Sequence, residues 1–239
     1  MKKEDPDIFC LQETKAFVHQ MPPEMNLLPH TNICRHTGTR AGYAGTAIFS
    51  KSWYVASCND HVHSQKFHED GRITEVEIAD KILLINGYFP NWGTRANGTE
   101  MLSYKLVFYD ELESYILSKK SEWYEIILTW DMNIVHTEID IARPKENQKS
   151  IWFLPIERKR IWDFMQTCGL VDMFRYFSPD VIDEYTRWSY RAGARLRNVW
   201  RRIDYFMLSE WLTSKAVSCS HRQDILGSDH CPVELIINL

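Results

Sequence analysis

Glycine is short in this chain. Ten glycines stand beside nine tryptophans in 239 residues, although average use of glycine alone is about 7%. Few positions are free to take a left-handed backbone or to let another group approach closely. Long apolar runs are also missing: none approaches the roughly 18 residues that cross a bilayer. Met1-Lys2-Lys3 leads into acidic residues rather than an apolar stretch, so neither a membrane span nor a signal peptide is expected. Cysteines 10, 34, 58, 168, 219 and 231 form no Cys-x-x-Cys pair. Their spacing suggests neither a zinc site nor a disulfide scaffold, and a reducing, cytoplasmic setting is expected. An excess of positive charge is missing too. The formal charge of 28 − 32 = −4 leaves no global field for a polyanion, so any nucleic-acid contact must concentrate its charge locally.

Apolar runs of strand length recur at Ile8–Gln12, Gly45–Phe49, Ile73–Ile78, Ile82–Tyr88, Glu125–Thr129, Ile203–Leu208 and Val233–Ile237. The longest predicted helix is Met101–Lys119, with Leu102, Leu106, Tyr109, Leu112 and Ile116 at steps of three or four on one face. A second covers Glu157–Cys168, with Pro155 before its first turn and Gly169 after its end. No linker, repeat or low-complexity tract interrupts the chain, which is long enough for one α/β core. A single domain over residues 1–239 is the expectation.

Several short polar stretches stand where strands end. Glu13 closes the first strand, and a carboxylate there suits a hard cation such as Mg²⁺; a capping or solvated glutamate is the plainer alternative. Asp131 and Asn133 follow the run Glu125–Thr129. An acid at such a place can prepare water and an amide can donate to a phosphate oxygen, although Asp and Asn also close strands as turn residues. Ser228-Asp229-His230 precedes the last strand. The His can face a phosphate while Asp204, carried by its own strand, fixes its tautomer. Arg187, Arg191, Arg195, Arg197, Arg201 and Arg202 fall within sixteen residues, with Trp188 and Tyr190 among them and no acid between. Guanidinium forks suit phosphates and aromatic faces suit bases or sugars; a solvated loop is the alternative. Each stretch alone reads as well as ordinary loop chemistry. Their joint order, with Asp70-Gly71-Arg72 and Asn86-Gly87-Tyr88, does not.

Together these stretches resemble the exonuclease III family of AP endonucleases, in the endonuclease/exonuclease/phosphatase superfamily. The resemblance runs over about residues 6–239. It is carried by Pro6-Asp7-Ile8-Phe9-Cys10-Leu11-Gln12-Glu13-Thr14-Lys15, Asn86-Gly87-Tyr88-Phe89-Pro90-Asn91, Arg143-Pro144-Lys145-Glu146-Asn147, Gly169-Leu170-Val171-Asp172-Met173-Phe174-Arg175 and Gly227-Ser228-Asp229-His230. It implies a four-layer α/β sandwich of the DNase I-like type, with two packed mixed sheets flanked by helices. It implies a Mg²⁺- or Mn²⁺-dependent monomer that acts on double-stranded DNA with no membrane partner. Such an enzyme cuts 5′ to abasic sites and trims 3′ ends. By motif, the resemblance gives the metal to Glu13, Asp131, Asn133, Asp229 and His230. It gives catalysis to Tyr88, Asp131, Asn133, Asp204 and His230. Arg72 then steadies the Asp70 loop or the DNA, and Arg187, Trp188, Arg191, Arg195, Arg197 and Arg201 meet the DNA. The alternatives are a superfamily phosphatase or phosphodiesterase on RNA or small phosphoesters, and an inactive DNA-binding relative.

The chain departs from the pattern in three places. The family's first strand, with an Asn-Gly pair, has no counterpart, so a segment missing ahead of Met1 is the expectation. Trp92, Trp130, Trp152 and Trp200 stand where relatives have glycine. One reading covers all four: the codons are UGA, decoded as glycine in the source organism and rendered here as tryptophan. A diverged homologue is the other. Finally, relatives place an aromatic residue after Thr186 and an apolar one before the Arg-Ile-Asp segment, whereas here these are Arg187 and Arg201. A slot for a flipped-out sugar is then partly replaced by charge.

Overall fold

The computed structural model describes residues 5–21, 32–51, 57–60, 65–91 and 101–239. Its main chain runs β1 (Ile8–Gln12), β2 (Asn32–His36), β3 (Thr46–Ser50), β4 (Ser57–Asn59), α1 (Gln65–His68), β5 (Ile73–Ala79), β6 (Ile82–Tyr88), α2 (Met101–Ser121), β7 (Glu125–Asp131), α3 (Pro144–Asn147), α4 (Pro155–Cys168), β8 (Leu170–Asp172), α5 (Met173–Phe177), β9 (Asp204–Ser209), α6 (Glu210–Thr213), β10 (Ala216–His221) and β11 (Val233–Ile237). The expected α/β architecture, sheets flanked by helices, is present. Four strands lie outside the sequence expectation: β2, β4, β8 and β10. Two of them are only three residues long, and the other two carry polar or small residues among the apolar ones, which blurs the alternation that marks a strand. No described helix is long and apolar enough to cross a membrane.

The chain divides into two compact units, Met1–Phe89 with Ser114–Trp130, and Pro90–Glu113 with Asp131–Leu239. In the first, β3 pairs antiparallel with β1 and β2, so that Phe9 and Ile33 both face Phe49. A second sheet places β4 and β6 antiparallel on either side of β5. The two sheets pack face to face over Ala47, Phe49, Val76 and Ile85, all fully or almost fully buried. Asn86 joins them. Its amide nitrogen reaches Leu11 O at 3.0 Å, Ala47 O at 3.1 Å and Thr74 Oγ1 at 3.3 Å, while its oxygen accepts from Gln12 Nε2 at 2.7 Å. Cys34 on β2 and Cys58 on β4 form a disulfide with a Cα–Cα distance of 5.6 Å. Their separation in sequence did not suggest this pairing.

Three of the tryptophans sit in strained or crowded places. α2 ends in a Schellman turn, in which Trp123 N–H donates to Lys120 O at 3.0 Å and Tyr124 N–H to Lys119 O at 3.1 Å. The left-handed residue of that turn is usually glycine; here it is Trp123, with φ +68°. Its side chain is 85% exposed. By contrast α4 ends on Gly169, which takes the same conformation at φ +58°. Trp152 is also left-handed, at φ +77°. Trp130 is buried beside Gly87, where a Cβ would overlap its ring, and packs against Phe89 with ring centroids 4.6 Å apart. Trp92 lies outside the described residues.

The second unit pairs β8 with β9 and β10 with β11, both antiparallel. α5 packs against β9 and β10, α4 against β8, and α6 against β8 and β9. Two apolar clusters support its loops: Val135, Ile141, Phe153 and Ile203, and Tyr185, Trp188, Ala194 and Cys231. α2 buries Met101, Tyr104, Lys105, Phe108, Tyr109, Leu112 and Ile116. Leu102 and Leu106, expected on that face, are only partly buried. Lysine, not leucine, holds the core position on the first turns.

Candidate active site

The last residue of β7 is Asp131, which is 3% exposed. The turn that follows holds Asn133 at φ +49°, and the carboxylate stabilises it. Asn133 N–H donates to Asp131 Oδ1 at 2.9 Å and Asn133 Nδ2 approaches Oδ2 at 3.4 Å. From below, Lys105 Nζ donates to Asn133 O at 2.8 Å and to Glu157 Oε1 at 2.9 Å. Burial pushes the Lys105 ammonium below its ordinary pKa, and Glu157 works to hold it up. Lys105 thereby fixes the backbone that presents Asn133.

Asp204 opens β9. Its backbone N–H and that of Ile203 both donate to Thr186 Oγ1, at 3.2 and 3.0 Å. Arg202, wholly buried two residues earlier, grips Asp140 and Asp172. Nε lies 2.7 Å from Asp140 Oδ1, and Nη2 lies 2.6 Å from Asp172 Oδ2. Asp140 also accepts from Arg175. These contacts set the start of β9 and with it the direction of the Asp204 carboxylate. That carboxylate meets His230 Nδ1 at 2.9 and 3.1 Å. Burial works against the imidazolium. The Asp204 charge, with Asp131 and Asp229 adding to it, outweighs burial and raises His230 to about 9.

Asp131, Asp204 and His230 each offer a ligand atom within 4.8 Å of the others. Two carboxylates and an imidazole form a donor set that suits a divalent cation. Asp131 has its oxygens turned toward the shared space and the Asn133 turn, while His230 Nδ1 is already committed to Asp204. Among the three, the Asp131 carboxylate fits a hard cation best.

The remaining predicted residues have different surroundings. Asp229 is drawn to Arg187, whose Nη2 and Nε lie 3.2 and 3.3 Å from Oδ2. Arg195 donates to the carbonyls of Ser228, Gln223 and Ile225 at 2.7–3.0 Å, bracing the loop that carries His230. Trp188 is buried, its Nε1 donating to Asn198 Oδ1 at 3.0 Å, so it is a core residue rather than a stacking platform. Arg191 and Arg197 are exposed. Arg201 is buried. In the first unit, Glu13 stands at φ +52° and pairs with Lys15. Arg72 is buried, donating from Nε to Asp70 Oδ2 at 3.0 Å and from Nη1 to Tyr88 O at 3.1 Å. Those contacts are loop support, so its guanidinium is not offered to a ligand. Tyr88 is likewise buried. Sequence reasoning missed Lys105 and Thr186. The only signal for Lys105 was a lysine four residues before Tyr109, on the helix's own apolar stripe.

The family model described as the Endonuclease/Exonuclease/phosphatase family matches residues 1–230. The chain is similar to the exodeoxyribonuclease of Bacillus subtilis, 38% identical over 240 residues that cover 100% of this chain and 91% of the relative. It is similar to the DNA-(apurinic or apyrimidinic site) endonuclease of Dictyostelium discoideum, 35% identical over 100% of this chain and 65% of that one. Among solved structures, an AP endonuclease from Archaeoglobus fulgidus superposes with a TM-score of 0.86 at 24% identity, over 100% of this chain and 91% of that one. At that identity the likeness speaks for the fold.

Proposed function

Because the chain belongs to the endonuclease/exonuclease/phosphatase family, we propose that it is a divalent-metal-dependent DNA-repair nuclease. In this reading it hydrolyses the DNA backbone 5′ to abasic sites and trims 3′ ends. The observation that carries the reading is the meeting of Asp131, Asp204 and His230 within 4.8 Å. The names of the relatives from Bacillus subtilis and Dictyostelium discoideum support the DNA substrate.

Phosphodiester hydrolysis needs a water stripped of its proton, an in-line phosphate, and compensation for charge growing on the phosphate oxygens. Asp131 is the acceptor for the water's proton. His230, a cation held by Asp204, donates from Nε2 to a non-bridging oxygen, and Asn133 donates from its amide without adding charge. When bound, Mg²⁺ or Mn²⁺ neutralises charge at the same oxygens. Asp131 is the ligand its geometry supports; Glu13 and Asp229 enter as ligands on the sequence motif alone. Tyr88 is proposed as a phosphate contact on the same ground. Arg191 and Arg197, both exposed, supply contacts to the strand backbone.

Incubation with a duplex carrying one abasic site tests the reading. A single incision leaving a 3′-hydroxyl is expected with Mg²⁺ or Mn²⁺, none with EDTA, and a loss of at least a hundredfold for Asp131→Asn. Absence of metal-dependent incision by the full chain counts against it.

A further inference from the structure

Two strands lie at the outer ends of the sheets of the first unit. Among the described strands β2 pairs only with β3, and β4 only with β5. The Cys34–Cys58 disulfide ties these two ends together. β2 has a second hold on the facing sheet, because His36 Nδ1 lies 2.9 Å from Ile73 O. β4 is three residues long and sits on β5 through Ser57–Glu77, Cys58–Val76 and Asn59–Glu75. The disulfide is its covalent tie across the sandwich.

The two sulfurs stand in different surroundings. Cys58 is exposed. Cys34 is 3% exposed, and its Sγ lies 3.7 Å from Glu75 O and 4.0 Å from Asn59 O. Both neighbours are acceptors, so they suit a thiol, which donates, and disfavour a thiolate. The other cysteines offer no rival. Burial pushes the thiols of Cys10, Cys219 and Cys231 up to about 12, and Cys168 is 1% exposed. A disulfide is opened by a thiolate that must reach the sulfur it attacks. Attack from solvent is therefore directed to Cys58, with Cys34 as the group that leaves.

We propose that Cys58 is a modification site, which takes a low-molecular-weight thiol into a mixed disulfide and thereby unties β4 from β2. Its support is separate from the nuclease reading. In the reaction the thiolate of the small thiol bonds to Cys58 Sγ and the bond between the two protein sulfurs breaks. The electron pair leaves on Cys34 Sγ, which takes up the proton the small thiol had lost. Because the two carbonyls keep Cys34 as a thiol, its return attack is slow and the adduct persists. A second small thiol can then attack the sulfur of the first. Cys58 is released as a thiol, so that two small thiols are oxidised to their own disulfide while the protein pair is reduced.

The full chain, purified without reductant, is incubated with reduced glutathione, alkylated in denaturant and read by peptide mass spectrometry. One glutathione is expected on the Cys58 peptide and an alkyl group on the Cys34 peptide. The melting temperature of the adduct is expected to fall by roughly 5–15 °C. Two variants test the site without the folded pair. Cys34→Ser leaves Cys58 as a thiol, which is expected to take glutathione from oxidised glutathione. Cys58→Ser leaves Cys34 buried, and is expected to react at least tenfold more slowly. Glutathione on Cys34 rather than Cys58, no adduct at Cys58, or equal rates in the two variants overturns the proposal. So does alkylation of both cysteines before glutathione is added, or an unchanged melting temperature in the adduct.

Discussion

His230 Nδ1 lies 2.9 Å from Asp204 Oδ2 and 3.1 Å from Oδ1, so one carboxylate both orients the ring and fixes which nitrogen faces outward. The carboxylate is itself aimed by Thr186, through two backbone N–H groups, and by the buried Arg202.

Asp204→Asn keeps the shape and removes the charge. An amide can present its N–H₂ to Nδ1 and favour the wrong tautomer. A loss of roughly 10²–10⁴ in kcat is expected, with a small change in melting temperature. Single-turnover cleavage and a thermal melt read these separately; activity within a few-fold of the unaltered chain rules out the role. In metal-free protein the raised His230 pKa adds a signature. Its contribution to stability is complete below the unfolded value near 6.5 and is lost as pH rises through about 9. Asp204→Asn should flatten that alkaline limb.

The Arg202–Asp140–Asp172 cluster predicts the acid limb. Burial alone raises the Asp140 carboxyl, but Arg202, with Arg175 and Thr137 adding, holds it far below the ordinary carboxylate range. A depressed pKa gives stability that is present above the unfolded value near 3.9 and lost as pH falls through the folded one. Asp140→Asn should cost about 3–5 kcal/mol at pH 7 because the cluster then holds two arginines, Arg202 and Arg175, against the single carboxylate of Asp172. The cost should shrink below pH 4. Urea titrations at both pH values check it, and a pH-independent difference refutes it.

Lys105→Met strands two acceptors, Glu157 and the Asn133 carbonyl. A destabilisation of about 3–5 kcal/mol is expected, together with reduced kcat as the Asn133 turn loosens. Lys105→Met combined with Glu157→Gln should recover part of the stability but not the rate. A double-mutant cycle with both readouts distinguishes a positioning lysine from a merely buried one.

Trp123 offers the cleanest test of the tryptophan-for-glycine reading, because its side chain is exposed and packs little. Trp123→Gly should stabilise the chain by about 1–2 kcal/mol, the cost of a left-handed residue with a Cβ. That is a few degrees in melting temperature at this length. Trp152 and Trp200 add a second argument, since each buries an indole N–H without an acceptor. The gene is expected to carry UGA at positions 92, 123, 130, 152 and 200. UGG at these positions ends the idea, and destabilisation by Trp123→Gly weighs against it.

Much of the fold was legible because the strands that build it are strongly apolar. Ile8–Gln12, Ile82–Tyr88 and Val233–Ile237 have the bounds their composition suggests. β10, Ala-Val-Ser-Cys-Ser-His, is not legible because small and polar residues interrupt any apolar alternation, and of its six residues only Cys219 falls among the buried core. In the candidate site, Asp131, Asp204 and His230 were nameable since acids and imidazoles at strand ends are chemically conspicuous. Their supports were not. Thr186 works through one hydroxyl on two backbone groups, and Lys105 acts from near the start of a helix, nearly thirty residues upstream of Asn133. Trp188 shows the converse: a tryptophan in a basic stretch looks like a ligand contact until its burial is seen, whereas Arg72 holds the Asp70 loop, one of the two roles its motif suggests.

Asn86 carries a consequence for how the first unit opens. Its side chain is wholly buried and draws at once on β1, through Leu11 and Gln12, and on β3 and β5. Separating the sheets breaks the bonds to Leu11, Ala47 and Gln12 together and leaves the amide only Thr74 on its own sheet, a cost of roughly 1–3 kcal/mol before any core contact is counted. Partial opening is thus penalised more than its area suggests. The backbone amides flanking Asn86 on these strands should exchange with deuterium together, at the rate of global unfolding rather than of local fraying.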